Sequence, residues 1–321
     1  VTSLPYFDAD AVRAALPYDR AMRAIREGLL NGVDPELDGP RLFSPAPDGE
    51  FLLMPAQGAE YSGLKALTVA PGNPARGLEK IQGLYVLYSS DTLAPVAVME
   101  GASLTAIRTP AVALTAVRAL AGSAPLGAEL PAEPRVLVFG AGVQAASHIA
   151  AALTAFPGAR FDVVGRRPER VAALREAVAP IEFRDRTSDP EDAVREADVI
   201  LCVTSASAPL FDGSLVRDHA VVAAVGTHGR GLRELDDALV SRADIVVEGR
   251  ASARRENGNL ATAIDDAMWE STPPANLHDL VSGRVVRTPG RPAVYTGVGM
   301  SWEDLICASV VFAEGRLARE N

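Results

Sequence analysis

Between residues 6 and 31 apolar positions recur at helical spacing, in Phe7-Asp8-Ala9-Asp10-Ala11-Val12 and again from Asp19 to Leu30. This spacing predicts a short capped helix followed by a longer one. Pro35, Pro40, Pro45 and Pro47 then mark turns. From residue 51 the rhythm shortens to β-like runs at 51–54, 63–69, 82–88 and 95–99. Loops rich in Gly, Pro, Asn and Asp separate them, as in an antiparallel or mixed sheet. Residues 101–121 are Ala-rich and helical, with Pro110 read as lying near a first turn.

A Pro/Gly/Ala-rich stretch, 122–134, reads as a linker or surface loop. After it, strands at 135–139, 161–164 and 199–203 alternate with helices at 144–156 and 168–178, and strands at 220–225 and 244–248 close the series. Continuously apolar strands between helices mean a parallel sheet covered on both faces. The fold class is therefore α/β, with a Rossmann-type doubly wound sheet of five or six strands between about 135 and 298. A last amphipathic helix, 303–319, lies too far along to belong to it.

Charge narrows the function. The 321 residues carry 31 basic and 41 acidic side chains, a net −10, which argues against nucleic acid or an anionic membrane as partner. No window reads as a membrane span, and the first residues have neither the basic start nor the apolar run of a signal peptide. Cys202 and Cys307, both in apolar surroundings, make no disulfide scaffold. A soluble, cytoplasmic protein is expected. Only two of the basic residues are lysines, Lys65 and Lys80, so each is worth locating.

The strongest motif is Gly140-Ala-Gly142-Val143-Gln144-Ala145, between a strand and a helix. Gly140 makes the turn, Gly142 lets a pyrophosphate approach the backbone, and Ala145 allows close helix packing. The helix start that includes Val143 and Gln144 supplies amide donors to the phosphate. A nicotinamide dinucleotide is the expected cofactor. After the second strand stand Gly165-Arg166-Arg167-Pro168, where an NAD enzyme typically places Asp or Glu. Two guanidiniums suit a 2′-phosphate, so NADPH is favoured over NADH. Thr204 and Ser205, at the carboxyl edge of the sheet, fall where ribose and nicotinamide should sit. Three cations, Arg41, Lys65 and Arg108, stand at element edges in the first 110 residues. Lys65, inside Leu64-Lys65-Ala66-Leu67, points either to water or into a site, whereas Lys80 lies in a polar turn and reads as solvated. His148, His219 and His278 show no metal spacing, so no metal is expected.

Over nearly its whole length the chain resembles the ornithine cyclodeaminase/mu-crystallin family. The resemblance rests on Pro40-Arg41 with Leu53-Met54-Pro55, Gly63-Leu64-Lys65, Leu104-Thr-Ala-Ile-Arg108-Thr109, Gly140-Ala-Gly142-Val-Gln144, Cys202-Val-Thr-Ser205, Arg233-Glu234-Leu235-Asp236 and Gly299-Met-Ser-Trp-Glu303-Asp304-Leu305. It implies a discontinuous α+β substrate-binding and dimerisation domain, residues 1–121 with 300–321, around a nucleotide domain, residues 122–299. It also implies a homodimer, and that Arg41, Lys65 and Arg108 surround the α-carboxylate of a small imino or amino acid. Thr109 is expected either to add a hydroxyl contact to ligand or cofactor or simply to pack within its helix. The cyclodeaminases carry a Glu before Leu-Met-Pro and an Asp after a nucleotide-domain strand; this chain has Leu52 and His228 there. These departures resemble the ketimine reductase branch. The expected activity is NADPH-dependent reduction of Δ1-pyrroline-2-carboxylate or Δ1-piperideine-2-carboxylate, a reaction of proline metabolism. Lys65 and His228 are the expected catalytic residues, His228 as proton donor. The alternatives are an ornithine cyclodeaminase or amino-acid dehydrogenase, or a nucleotide-gated binding protein without turnover.

Overall fold

The computed structural model describes residues 4–320. The chain forms two compact units, one running through Arg108 and resuming at Met300, the other spanning Thr109–Gly299.

In the first unit, β1 (Tyr6–Phe7), α1 (Ala9–Ala15) and α2 (Tyr18–Leu30) precede β2 (Leu42–Ala46), β3 (Gly49–Ala56), β4 (Tyr61–Val69), β5 (Ile81–Ser89) and β6 (Pro95–Glu100). The strands form one sheet in the order β1-β6-β5-β4-β3-β2, antiparallel except for the β1–β6 pair. β2 replaces part of the turn region read from the prolines; Pro45 sits on this edge strand, where a missing N–H leaves no ladder bond unmade. Strand alternation gives the sheet two faces. Phe7, Met99, Tyr85, Lys65 and Met54 are aligned across five strands on one face, and all are buried. The last helix, α11 (Ser301–Glu320), packs on this face. Tyr6, Val98, Val86, Leu64 and Pro55 form the matching row on the other face.

From β6 the chain enters α3 (Gly101–Gly122), an uninterrupted helix along which the change of unit occurs. The division thus falls after Arg108 and not at residue 122. Pro110 is not in a first turn but ten residues into α3, where its missing N–H leaves the Ala106 carbonyl without its helical donor. By length and composition α3 is long and apolar enough to cross a membrane; 67% of its most apolar stretch is buried inside the protein.

The second unit contains β7 (Arg135–Phe139), α4 (Val143–Ala155), β8 (Arg160–Val164), α5 (Pro168–Val178), β9 (Phe183–Asp185), α6 (Pro190–Glu196), β10 (Val199–Cys202) and β11 (Val221–Ala224). It continues with α7 (Asp237–Arg242), β12 (Asp244–Val247), α8 (Arg250–Glu256), α9 (Asp266–Ser271), β13 (Ala275–Asn276), α10 (Leu277–Val281) and β14 (Ala293–Thr296). All eight strands are parallel, in the order β13-β12-β14-β11-β10-β7-β8-β9. The sheet is doubly wound, as expected, but has eight strands instead of five or six. Nor does the 244–248 strand close the series: β14 inserts between β11 and β12. β9 and β13, of three and two residues, are too short for the pattern to register, and β14, although apolar, lies between the loop signals Pro292 and Gly297. From the central β7 the chain winds outward to β9 and returns to β10, leaving a crevice at the carboxyl ends of β7 and β10.

Gly63 shows how tightly the buried face of the first sheet is filled. A Cβ there would lie 1.9 Å from the hydroxyl of the fully buried Tyr85. Gly63→Ala is expected to lower stability by about 1–3 kcal/mol in urea unfolding. Gly72→Ala, where a Cβ meets nothing within 4 Å, should change it by less than about 0.5 kcal/mol.

Candidate functional site

In the second unit, Gly140 ends β7 at φ +125°, a conformation that glycine tolerates and other residues resist. Its N–H donates to the Val164 carbonyl at 2.9 Å, and the Val203 N–H donates to the Phe139 carbonyl at 3.0 Å. These bonds fix the turn between the ends of three adjacent strands. Gly142 caps α4 without any side-chain bond, and a Cβ on it would meet nothing within 4 Å. The start of α4 therefore presents bare amides to open space, where an anion can approach the backbone.

That space is a groove of about 670 Å³, lined among others by Gly140, Gly142, Arg166, Arg167, Thr204 and Ser205. Its size lies within the range of small-molecule sites. Val143 and Gln144 open the helix beside the groove but do not line it. Arg166 and Arg167 are exposed, and Arg170, unremarked in the sequence, joins them one helical turn along α5. No carboxylate is among the lining residues; the nearby Glu169 lies 3.9 Å from Arg167 Nε. The bare glycine cradle and the guanidiniums fit the phosphates of a dinucleotide.

Thr204 is less available than the sequence suggested. Its hydroxyl donates to Glu234 at 2.8 Å and accepts from the Ala206 N–H, so the one proton it could offer a ligand is already engaged. Glu234 also accepts from the N–H groups of Thr204 and Gly226, joining the loops after β10 and β11. Burial raises the Glu234 pKa, against the pull of those donors. His228 follows two residues after Gly226, on an exposed loop and outside the residues that line the groove. His148 is buried, which lowers its pKa to about 4, and its Nδ1 meets the Gln144 carbonyl at 2.7 Å.

In the first unit, Lys65 does not point to water. It is fully buried, with Nζ 2.8 Å from Asp304 Oδ1 on the first turn of α11. Arg108 Nη1 lies 2.6 Å from Glu303 Oε2, and its Nε 3.3 Å from Asp304 Oδ1. The structure thus brings Lys65 and Arg108, 43 positions apart in sequence, onto one carboxylate. Burial lowers the Lys65 pKa to about 8; Asp304 opposes that shift and Arg108 adds to it. Tyr85 lies directly across from Lys65 in the β4–β5 register, and neither its hydroxyl nor Asp304 Oδ2 has a hydrogen-bond partner among the described residues. Asp38 accepts from the N–H groups of Ser301 and Trp302, capping α11 and fixing where its acids begin. Arg41 is half-buried immediately before β2, whose Leu42 pairs with Leu53, so it lies at the end of the row through Met54 and Lys65. Thr109 follows Arg108 on α3, partly buried, as the first residue of the other unit.

Glu303 and Asp304 were quoted from the sequence only as part of a motif, yet they are the direct partners of the two cations. The available signal was two acids inside the otherwise apolar run Trp302-Glu303-Asp304-Leu305-Ile306-Cys307. Among the described residues no group of three His, Cys, Asp or Glu side chains converges as metal ligands would. Removing one member of a buried ion pair strands the other. Lys65→Ala is therefore expected to cost about 3 kcal/mol or more in urea unfolding. The exposed Lys80→Ala should cost less than about 0.5 kcal/mol.

The sequence profile of the ornithine cyclodeaminase/mu-crystallin family matches residues 9–317. The chain is 30% identical to Delta(1)-pyrroline-2-carboxylate reductase 2 of Burkholderia ambifaria, over 100% of this chain and 96% of that protein. It is likewise 30% identical to the Delta(1)-pyrroline-2-carboxylate/Delta(1)-piperideine-2-carboxylate reductase of Azospirillum brasilense, with the same coverage. Its fold matches that of Thermococcus litoralis Delta(1)-pyrroline-2-carboxylate reductase, solved with NADH and L-proline, at a TM-score of 0.83 over 98% of both chains and 22% identity. The chain belongs to the ornithine cyclodeaminase/mu-crystallin family.

Proposed function

We propose that this protein reduces a cyclic ketimine carboxylate, Δ1-pyrroline-2-carboxylate or its six-membered homologue, to the cyclic amino acid, using NADPH. The observation that carries this reading is the pair of buried cations, Lys65 and Arg108, in a chain whose full-length relatives include reductases of such substrates. A bound nicotinamide dinucleotide supplies the hydride. The amides at Gly142 and the start of α4 hold its pyrophosphate, and Arg166 and Arg167, with Arg170 beside them, receive the 2′-phosphate. Lys65 and Arg108, with Arg41, receive the substrate carboxylate and so orient C2 for attack.

Hydride addition to C=N is easiest when the ring nitrogen is protonated. His228 is the proposed donor, since an imidazole titrates near neutral pH. Lys65, with its pKa lowered to about 8, is the second group able to exchange a proton in the same range.

Leu52 weighs against hydrolytic deamination. Where the cyclodeaminases carry a Glu, it packs with Met54 and Leu67 in a small apolar cluster that offers nothing to activate water. On the outward face of the six-stranded sheet, Tyr6, Leu42, Phe51 and Leu84 stand 43–56% exposed. Such an apolar surface supports the homodimer that family membership implies.

The assay is loss of NADPH absorbance with cyclic ketimines of both ring sizes, run in parallel with NADH. Oxidation of NADPH with at least one ring is expected. Conversion of ornithine to proline and ammonia, with neither nucleotide oxidised, would overturn the reading. Arg166→Asp should raise the KM for NADPH about tenfold or more while leaving that for NADH nearly unchanged. An unaltered NADPH KM would place the phosphate elsewhere.

A further inference from the structure

We propose that Asp304 and Glu303 are positioning residues of the substrate site: they fix Lys65 and Arg108 in place, and Asp304 keeps Lys65 in its ammonium form. The proposal rests on the reading of Lys65 and Arg108 as the cations that receive the substrate carboxylate. A lysine stem has four rotatable bonds, and a guanidinium can swing through a wide arc. Here both are held by acids on adjacent residues of one helical turn, at 2.8 Å and 2.6 Å. Both acids are fully buried, so the pairs are shielded from screening by solvent and salt.

Several charged or titratable groups surround Lys65. Asp304, Glu303 and Cys307 face it from α11, Arg108 from α3, and Tyr85 from the neighbouring strand. Asp304 and Glu303 favour the ammonium, while burial and Arg108 oppose it. Without Asp304 the buried lysine loses charge, and a neutral amine gives a carboxylate no ion pair. The acids sit at the amino end of a 20-residue helix, where the dipole favours anions. The first turn of α11 is thereby part of the substrate site although it need not touch the substrate. Asp304 Oδ1 serves both cations, so a change there is felt by Lys65 and Arg108 together.

The composition makes a direct test available. With only two lysines in the sequence, selective isotopic labelling of lysine gives two side-chain Nζ signals, one from Lys65 and one from the exposed Lys80. In the native protein the Lys65 signal should titrate near pH 8. In Asp304→Asn it should move down by about one pH unit or more, because an opposite charge within contact distance has been removed. The alkaline limb of kcat/KM should move with it, and the KM for Δ1-pyrroline-2-carboxylate should rise about tenfold while kcat changes less. Asp304→Glu should restore part of the Lys65 shift. A purely structural role would lower the melting temperature and leave both titrations where they were. Folded Asp304→Asn with an unmoved Lys65 signal overturns the proposal. If that variant does not fold, the native titration decides instead, since a Lys65 signal that titrates below neutral pH shows a neutral amine beside Asp304 and overturns it as well. If no ketimine is reduced at all, the activity reading fails while the Lys65 titration still reports on the role of Asp304.

Discussion

Two buried cations cannot stand in a protein interior without counter-charge, and in this chain the counter-charge comes from the far end of the sequence. Lys65 in mid-strand and Arg108 on α3 are balanced by Asp304 and Glu303. Meeting that requirement ties β4, α3 and α11 to one point. Asp38 then fixes the start of α11 by accepting from its first amides. Gly315 lets the same helix approach the sheet closely, since a Cβ there would lie 2.2 Å from the Phe7 ring. The discontinuous make-up of the first unit is a consequence. Without α11 both cations would lose their counter-charges together with the helix that packs over Lys65.

The second unit follows a different constraint, the need to leave backbone amides bare. Several helix starts in this protein are capped by a side chain, as at Asp236, Asp265 and Asn276. The start of α4 is not, and Gly142 immediately before it keeps the approach open. The neighbouring loops, by contrast, are held rigid from behind. Glu234 gathers donors from Thr204 and Gly226, and Glu248 accepts from the N–H groups of Val298 and Gly299. Gly226 has no room for a side chain, because a Cβ would lie 2.2 Å from the Thr204 backbone. The anion cradle thus sits beside a loop whose amide at Thr204 is tied, with that of Gly226, to Glu234.

Much of this was legible in the chain. The Gly-x-Gly-x-Gln turn at 140–144, the apolar strands after it and the arginines at 166 and 167 act locally, through backbone conformation and residues a few positions apart. For such features sequence order nearly fixes spatial order. The same local logic missed β9 and β13, whose two or three residues are too few to establish a period, and β14, whose run of four lies between the loop signals Pro292 and Gly297. It also assigned Thr204 to the ligand, because the strand-end position is readable but the claim of Glu234, 30 residues away, on its hydroxyl is not.

The sequence by itself determined the fold class, the glycine-rich turn between β7 and α4 and the identity of the unusual cation, since a lysine inside an apolar strand marks itself. Only the tertiary structure decided what that lysine does. Facing water it would be one more surface charge; buried beside Asp304 it is a paired ammonium whose pKa is lowered to about 8. The two states differ through solvation and through a carboxylate 239 residues away, and neither is a property of the residues next to Lys65 in the chain.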